Sequence, residues 1–404
     1  MTVVEISECF PNILKPVTGE FILQHVRALS EYCTVITIVP LRCVPPKELI
    51  SINLLKTVSG IFKWLSSQSK VKNTCEGNLS IIYFKYISLP RPYFESLDKS
   101  FIKFFLYKRL YKVLKKFNPD IIYCNWIRSW AELSSALARE LQIPLIIDHH
   151  EDLPTLKKMF PASFKVFLNT LQKADGIVVH SSVNKKELMR ENLNIPEARI
   201  NYYGQNFGIC ISKKKFNNNL NNIICVSHLS ERRKNIDDLI KAAALLKIKE
   251  NIHLTIAGDG ILKNEYISLT SDLELKSTIS FKGIRTQNEI NLLLDESDIF
   301  VLPSYPEAFG IVFIEALAKG LPLITCEGNG GGEELKQLGY PAILVKPNSP
   351  GHLAEAILNL LNDRDRMSGM SESGKQIVRR YFTWEKNAES TFGYLEECIK
   401  NYNK

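Results

Sequence analysis

The chain has 404 residues, 45% of them hydrophobic and 23% charged, with 51 Lys and Arg against 43 Asp and Glu for a formal net charge of +8. That material fills two or three globular domains and excludes a disordered, collagen-like or coiled-coil chain. No stretch reaches the roughly 20 apolar residues of a membrane span. In the opening MTVVEISECF, Glu5 and Glu8 stand where a secretory leader needs basic and then apolar residues, so a cytosolic chain is expected. Nine cysteines without a C-x-x-C pair or a Cys/His cluster are expected to be reduced thiols packed as small hydrophobes, with no zinc site. Residues 1–205 carry 27 basic against 18 acidic residues, and residues 206–404 carry 24 against 25, so the excess positive charge lies in the N-terminal half. A phosphorylated substrate, an anionic membrane or nucleic acid would each suit that asymmetry.

Short β-branched runs alternate with amphipathic segments along the chain. Strands are predicted at Val3–Ile6, Val35–Val39, Ile121–Cys124, Leu145–Ile147 and Ile177–Val179. A second series follows at Ile223–Val226, His253–Ala257, Ile279–Phe281, Ile299–Leu302, Leu323–Thr325 and Ala342–Val345. Helical spacing is clear over Ile236–Lys247, and Thr383 is a candidate N-cap for a last helix reaching about Tyr402. Continuous apolar strands with helices between them predict parallel sheets covered on both faces. The polar, aperiodic stretch Lys213–Asn219 marks a joint between Gly204 and Asn222. The expected domains are residues 1–205, residues 206–382, and a terminal helix over residues 383–404 that returns to the first. In such tandem α/β domains ligands sit beyond the carboxyl ends of the strands.

Residues 299–326, IFVLPSYPEAFGIVFIEALAKGLPLITC, carry the most information. A buried strand ends at Pro303-Ser304, a loop holds Glu307 and Gly310, and a helix is predicted from about Ile311 to Lys319. A glycine turn before a helix leaves backbone N–H donors and the positive end of the dipole available to a phosphate. Two carboxylates beside such an anion site make sense if Glu307 and Glu315 accept hydrogen bonds from sugar or ribose hydroxyls. The same pair also fits the surface of an ordinary βα unit.

The segment Glu307-Ala308-Phe309-Gly310 running to Glu315 resembles the E-x7-E signature of the retaining glycosyltransferases of family 4, which have the GT-B architecture. Similarity continues through Val301-Leu302-Pro303-Ser304, Ala316-x-Ala318-x-Gly320-x-Pro322, Ala257-Gly258-Asp259-Gly260, Phe281-x-Gly283, Gly330–Glu334 and Phe382–Glu385, and more weakly through Phe10-Pro11 and Gly19-Glu20-Phe21. The resemblance implies two doubly wound Rossmann-like domains facing a cleft. It also implies a hexosyltransferase that takes its sugar from a UDP- or GDP-type nucleotide-sugar and needs neither cofactor nor metal.

By that resemblance Glu315 binds ribose hydroxyls, Glu307 binds the donor sugar, and the N–H groups of Phe309, Gly310 and Ile311 face sugar and diphosphate. Gly258 and Gly283 belong to the same donor site. Lys234 stands at the family's cationic position. The family's arginine is replaced by His228, a single neutral donor in place of a bidentate fork, so Arg232 or Arg233 is a candidate substitute. His149, followed three residues on by Asp152, matches the family's catalytic-loop histidine, with His150 as its rival. Gly19 permits close approach of donor phosphate or acceptor. The Gly-rich loop bearing Glu333 and Glu334 has no assigned role.

Retention of anomeric configuration follows from the resemblance, as does a glycan or polyprenyl-phosphate-linked acceptor in cell-surface polysaccharide assembly. The basic, aromatic segment Lys99–Lys116 fits either a core helix with a solvated face or a helix resting on an anionic membrane. The chain is then expected to be cytoplasmic, peripheral on the inner face of the membrane, and not to bind nucleic acid. Two decoys are set aside. Gly369-x4-Gly374-Lys375 lacks a preceding strand and a following Ser or Thr, and Gly258-Asp259-Gly260 lacks the third glycine of a dinucleotide fingerprint. The rival functions are a sugar-nucleotide epimerase or hydrolase of the same architecture, and a degenerate glycan-binding member.

Overall fold

The structure is a computed structural model, and it describes residues 1–12, 18–49, 54–67, 73–88, 95–126, 129–205, 221–247 and 251–404. The expected joint around Lys213–Asn219 lies outside the described residues. Among the described residues, fourteen strands form two sheets. The first contains β1 (Thr2–Ile6), β2 (Thr34–Cys43), β3 (Thr74–Glu76), β4 (Leu79–Ile87), β5 (Ile121–Asn125), β6 (Leu145–Asp148), β7 (Gly176–Val179) and β8 (Arg199–Ile200). The second contains β9 (Asn221–Val226), β10 (Ile252–Ala257), β11 (Ile279–Gly283), β12 (Ile299–Val301), β13 (Leu323–Cys326) and β14 (Ile343–Val345).

The strand orders are β3-β4-β2-β1-β5-β6-β7-β8 and β11-β10-β9-β12-β13-β14. Every pairing among these strands is parallel except the edge pair β3–β4. This is the two-Rossmann-like-domain architecture expected from the alternation of apolar strands and helices. The strand order reverses where β1 lies beside β5 and where β9 lies beside β12, the places at which doubly wound sheets open a crevice. Apolar runs dictate these central strands: Ile121, Ile122, Tyr123 and Cys124 of β5 are all fully buried, as two-sided coverage requires.

Two compact units result. One holds Met1–Val179, Leu188–Asn201 and Asn387–Lys404, and the other holds His180–Glu187 and Tyr202–Lys386. A single cut at residue 205 therefore does not describe the division. Residues 180–187 pack in the second unit, where the Ser181 hydroxyl donates to the Ala308 carbonyl at 2.9 Å. The last helix, Trp384–Tyr402, carries Thr383 as its cap, with Thr383 Oγ1 accepting from the Lys386 N–H at 3.2 Å. From Asn387 onward it belongs to the first unit, where the Tyr394 hydroxyl accepts from the Ile177 N–H at 3.1 Å.

Helix Glu95–Phe117 buries Leu106, Leu110 and Leu114 and leaves Lys108, Arg109, Lys112, Lys115 and Lys116 exposed. The side chains of Lys99, Phe101, Lys103, Phe104 and Phe105 lie outside the described residues. Among the described residues the eight cysteines are free thiols, and no helix is long and apolar enough to cross a membrane.

Candidate active site

In the second unit the loops after β9 and β12 meet at the sheet's switch point. The loop after β9 closes in a 3-10 turn, Arg232–Lys234, ended by Asn235 in the left-handed conformation at φ 50°. Asn235 Nδ2 donates to the Pro303 carbonyl at 2.9 Å, and the Tyr305 N–H donates to the Arg233 carbonyl at 2.8 Å. These two bonds fasten the basic turn to the loop that carries Glu307.

Lys234 Nζ makes a short ion pair with Glu307 Oε2, and Arg233 Nη1 lies 3.3 Å from the same oxygen while donating to the Pro306 carbonyl at 2.8 Å. Burial alone pushes the Glu307 carboxyl up. The charges of Lys234 and Arg233, with hydrogen bonds from Lys234 and Ser304, outweigh that and hold it below the usual range. Glu307 is therefore an anion that keeps two cations in place.

Of the candidate substitutes for the missing arginine, Arg233 is in this cluster. Arg232 is turned outward in a bidentate pair with Glu265 at 2.8 and 2.9 Å. His228 is exposed on the loop after β9.

Gly310, at φ 87°, caps helix Ile311–Ala318, so the loop turns sharply and the first N–H groups of the helix point out of the sheet's end. Glu315 lies half-buried on this helix, and burial pushes its carboxyl up to about 7, against a lowering hydrogen bond from Gln287. Phe309 is buried, with its ring against Tyr203 and Phe382 at centroid distances of 5.5 and 5.7 Å. Its side chain is therefore a structural wedge and only its backbone is available to a ligand. The loops bearing Gly258 and Gly283 adjoin one another, the Gly258 N–H donating to the Gly283 carbonyl at 2.9 Å.

The Gly-rich segment is a helix start rather than an open loop. Asn329 caps helix Gly330–Gln337, with Oδ1 accepting from the Gly332 N–H at 3.0 Å. A Cβ on Gly331 would lie 1.8 Å from the Phe309 carbonyl oxygen, so only glycine lets this helix press against the loop of Glu307 and Gly310. Glu334 is buried and accepts from the Ser182 N–H at 2.6 Å and from the Tyr202 hydroxyl. Its oxygens are used in anchoring residues 182 and 202 within the unit. The rejected P-loop lies inside helix Arg364–Tyr381.

In the first unit Gly19 is the left-handed N-cap of helix Glu20–Leu29, at φ 76°. The helix presents Phe21 edge-on to the His150 ring at 5.6 Å, and the Trp126 ring lies 4.4 Å from the same ring and 6.2 Å from Phe21. His149 is fully buried, its backbone N–H donating to Val178 at 2.9 Å in continuation of the sheet. His150 Nε2 lies 2.8 Å from Asn125 Oδ1 and 3.5 Å from Asp148 Oδ2. Within this unit it is therefore His150 that joins the polar groups at the ends of β5 and β6.

Sequence reasoning passed over several of these groups. Asn125 Nδ2 donates to Glu5 Oε1 at 2.7 Å, Tyr123 donates to Asp148 Oδ2 at 2.6 Å, and His25 Nδ1 meets Asn387 Oδ1 at 2.6 Å. The available signal was Glu5 itself, an acidic residue inside the apolar strand TVVEI.

Two family models match the chain. "Glycosyltransferase Family 4" covers residues 74–202 and "Glycosyl transferases group 1" covers residues 210–377, together about three quarters of the sequence. An uncharacterized glycosyltransferase of Methanocaldococcus jannaschii is 28% identical over 69% of this chain and 76% of its own length. The N-acetyl-alpha-D-glucosaminyl L-malate synthase of Bacillus anthracis is 25% identical over 70% and 75%. Among solved structures, Anabaena HepE in complex with UDP and glucose matches with a TM-score of 0.72 at 17% identity, covering 98% of this chain and 100% of that one. Sucrose-phosphate synthase of Thermosynechococcus elongatus matches at 0.74 and 18%, covering 99% of each. With the motif series, the paired Rossmann-like sheets and these matches in agreement, the chain belongs to the family 4 glycosyltransferases of GT-B architecture.

Proposed function

We propose that the protein is a retaining hexosyltransferase that takes a sugar from a UDP- or GDP-type nucleotide-sugar. It passes the sugar to a glycan or polyprenyl-phosphate-linked glycan in cell-surface polysaccharide assembly. The observation that carries this reading is the cluster of Lys234, Arg233 and Glu307 beside the N-terminus of helix Ile311–Ala318. When a diphosphate leaves a sugar, negative charge develops on its oxygens, and two preset cations and a helix dipole stabilise it. Arg233 then supplies the fork that His228 lacks, so no metal is required by this reading. Glu307 exchanges its cations for donor sugar hydroxyls, and Glu315, once ionised, accepts the ribose hydroxyls. In the first unit His150, rather than His149, is the histidine that meets the donor sugar, because its ring joins Asn125 and Asp148 at the ends of β5 and β6.

Structural relatives solved with UDP and with UDP-glucose support the donor class. The exposed Lys108, Arg109, Lys112, Lys115 and Lys116 support a resting place on an anionic membrane for a lipid-linked acceptor. Thermal unfolding with a panel of UDP, GDP and ADP sugars tests the donor assignment. A donor at 100 times its dissociation constant adds about 2.7 kcal/mol, and the shift should vanish in Glu315→Ala. A cooperatively unfolding protein that responds to none of them would overturn the reading.

A second reading, a degenerate glycan-binding member, draws on His228 at the arginine position. A large gain of transfer activity in His228→Arg would favour it.

A further inference from the structure

At the switch point of the first sheet, Glu5 is fully buried on β1, where its register partner on β5 is Tyr123. An acidic side chain at the centre of a parallel sheet is costly unless its hydrogen-bonding capacity is used. Here Oε1 accepts from Asn125 Nδ2 at 2.7 Å, and Oε2 lies 3.6 Å from His25 Nε2. His25 is itself turned by Asn387, whose Oδ1 takes the Nδ1 proton at 2.6 Å.

An amide has one accepting and one donating end. With Nδ2 of Asn125 committed to Glu5, its Oδ1 must face His150 Nε2, 2.8 Å away, and can only accept. His150 is then protonated at Nε2, and in the neutral ring Nδ1 is the acceptor. The rings of Phe21 and Trp126 fix the imidazole plane, and Asp148 Oδ2, 3.5 Å from Nε2, favours the same proton position.

We propose that Glu5 is a positioning residue of the glycosyl-transfer site: through the Asn125 amide it sets the tautomer and orientation of His150. A sugar hydroxyl at Nδ1 would accordingly donate to the histidine. Burial, opposed by the Asn125 hydrogen bond and reinforced by Asp148, pushes the Glu5 carboxyl well up. A neutral Glu5 still offers its carbonyl oxygen to Asn125 and turns its proton toward His25, so what the relay needs is an acceptor of this length, not a charge. The proposal rests on the reading of His150 as the histidine that meets the donor.

The test is long-range 1H–15N NMR of the full chain labelled at histidine, with the His150 signals assigned by their loss in His150→Gln. The wild type and Glu5→Gln should show a single Nε2–H tautomer. Glu5→Leu should show a mixture, with kcat lowered about tenfold and the KM for the nucleotide-sugar unchanged. Should Glu5→Leu fail to fold, Asn125→Ser at the strand end gives the same spectroscopic readout. A single Nε2–H tautomer persisting in the folded variant, or Glu5→Gln no better than Glu5→Leu, overturns the proposal. If His150→Gln transfers sugar as fast as wild type, the reading of His150 fails while the tautomer result still decides whether Glu5 positions the ring.

Discussion

If Glu315 accepts the ribose hydroxyls as proposed, donor binding depends on pH through its raised carboxyl. Its carboxyl is raised to about 7 by burial, with the hydrogen bond from Gln287 opposing. A carboxylate accepts from two ribose hydroxyls, whereas a protonated carboxyl keeps one proton of its own and loses one acceptance. Donor affinity should therefore rise with pH until the group is ionised. If the ionised form alone binds well, about one molecule in ten is competent at pH 6, and affinity there falls about tenfold, or about 1.4 kcal/mol. Binding and ionisation are linked, so bound donor must pull the carboxyl down by at least the same free energy.

The stability of the free protein moves the other way. A carboxyl raised in the folded state binds a proton that the unfolded chain has already released. Stability thus declines between the ordinary glutamate value of 4.5 and about 7, then levels off. The ceiling of that decline is about 3 kcal/mol. The assay is isothermal titration calorimetry at pH 6, 7 and 8 with an intact nucleotide-sugar. Both of its phosphates are esterified, so neither titrates near about 6 as a terminal phosphate does. Glu315→Gln should bind more weakly at pH 8 and show a flat profile. Equal wild-type affinity at all three pH values, or the same slope in Glu315→Gln, would refute the reasoning.

Removing the ammonium in Lys234→Met leaves Glu307 buried with Arg233 alone. Chemical denaturation should register a loss of about 1–3 kcal/mol, and a nucleotide-sugar should no longer shift the melting temperature. Gly331→Ala drives a Cβ to 1.8 Å from the Phe309 carbonyl oxygen and should cost at least about 2 kcal/mol while weakening donor binding. Gly369→Ala, where an added Cβ meets nothing within 4 Å inside helix Arg364–Tyr381, should instead stabilise by about 0.5–1 kcal/mol without touching donor affinity. In Glu334→Gln the acceptor pair for Ser182 and Tyr202 is impaired, so denaturation should show a loss of about 1–2 kcal/mol with donor affinity retained. A tenfold loss of affinity at unchanged stability would make Glu334 a binding residue after all.

The two central sheets were legible because their strands are continuous apolar runs, a pattern fixed by burial on both faces. Strand β4, LSIIYFKYI, escaped because its burial alternates and Lys85 interrupts the apolar signal. Strand β3 is exposed throughout and gives no apolar signal at all. On the donor side the motif spacing pointed to Glu307, Glu315 and Lys234. It did not separate Arg232 from Arg233, because which of two adjacent arginines turns inward depends on Glu265 claiming one and Glu231 and Glu307 the other. Glu334 has no role that the sequence assigns, because the glycines before it read as an open loop. In the folded chain those glycines exist to let a helix touch the backbone of another loop.

Glu5 shows where motif reading stops and physical chemistry continues. In the sequence it is one acidic residue in an apolar strand, TVVEI. Placed on β1 beside β5, it becomes a buried acceptor at the point where the strand order reverses, two bonds from the ring of His150. An apolar residue would suffice for packing at the centre of a parallel sheet and would avoid the cost of desolvating a carboxyl. A side chain that raises its own folding cost in this way needs a return elsewhere, and the orientation of Asn125 supplies one. The corresponding switch point of the second sheet follows the same logic with ions, where Glu307 pairs with Lys234 and Arg233, the cations that the proposed reading sets against a phosphate. In each unit the costly polar group lies where the strand order reverses, and it orders the residue to which the proposed reading assigns the chemistry.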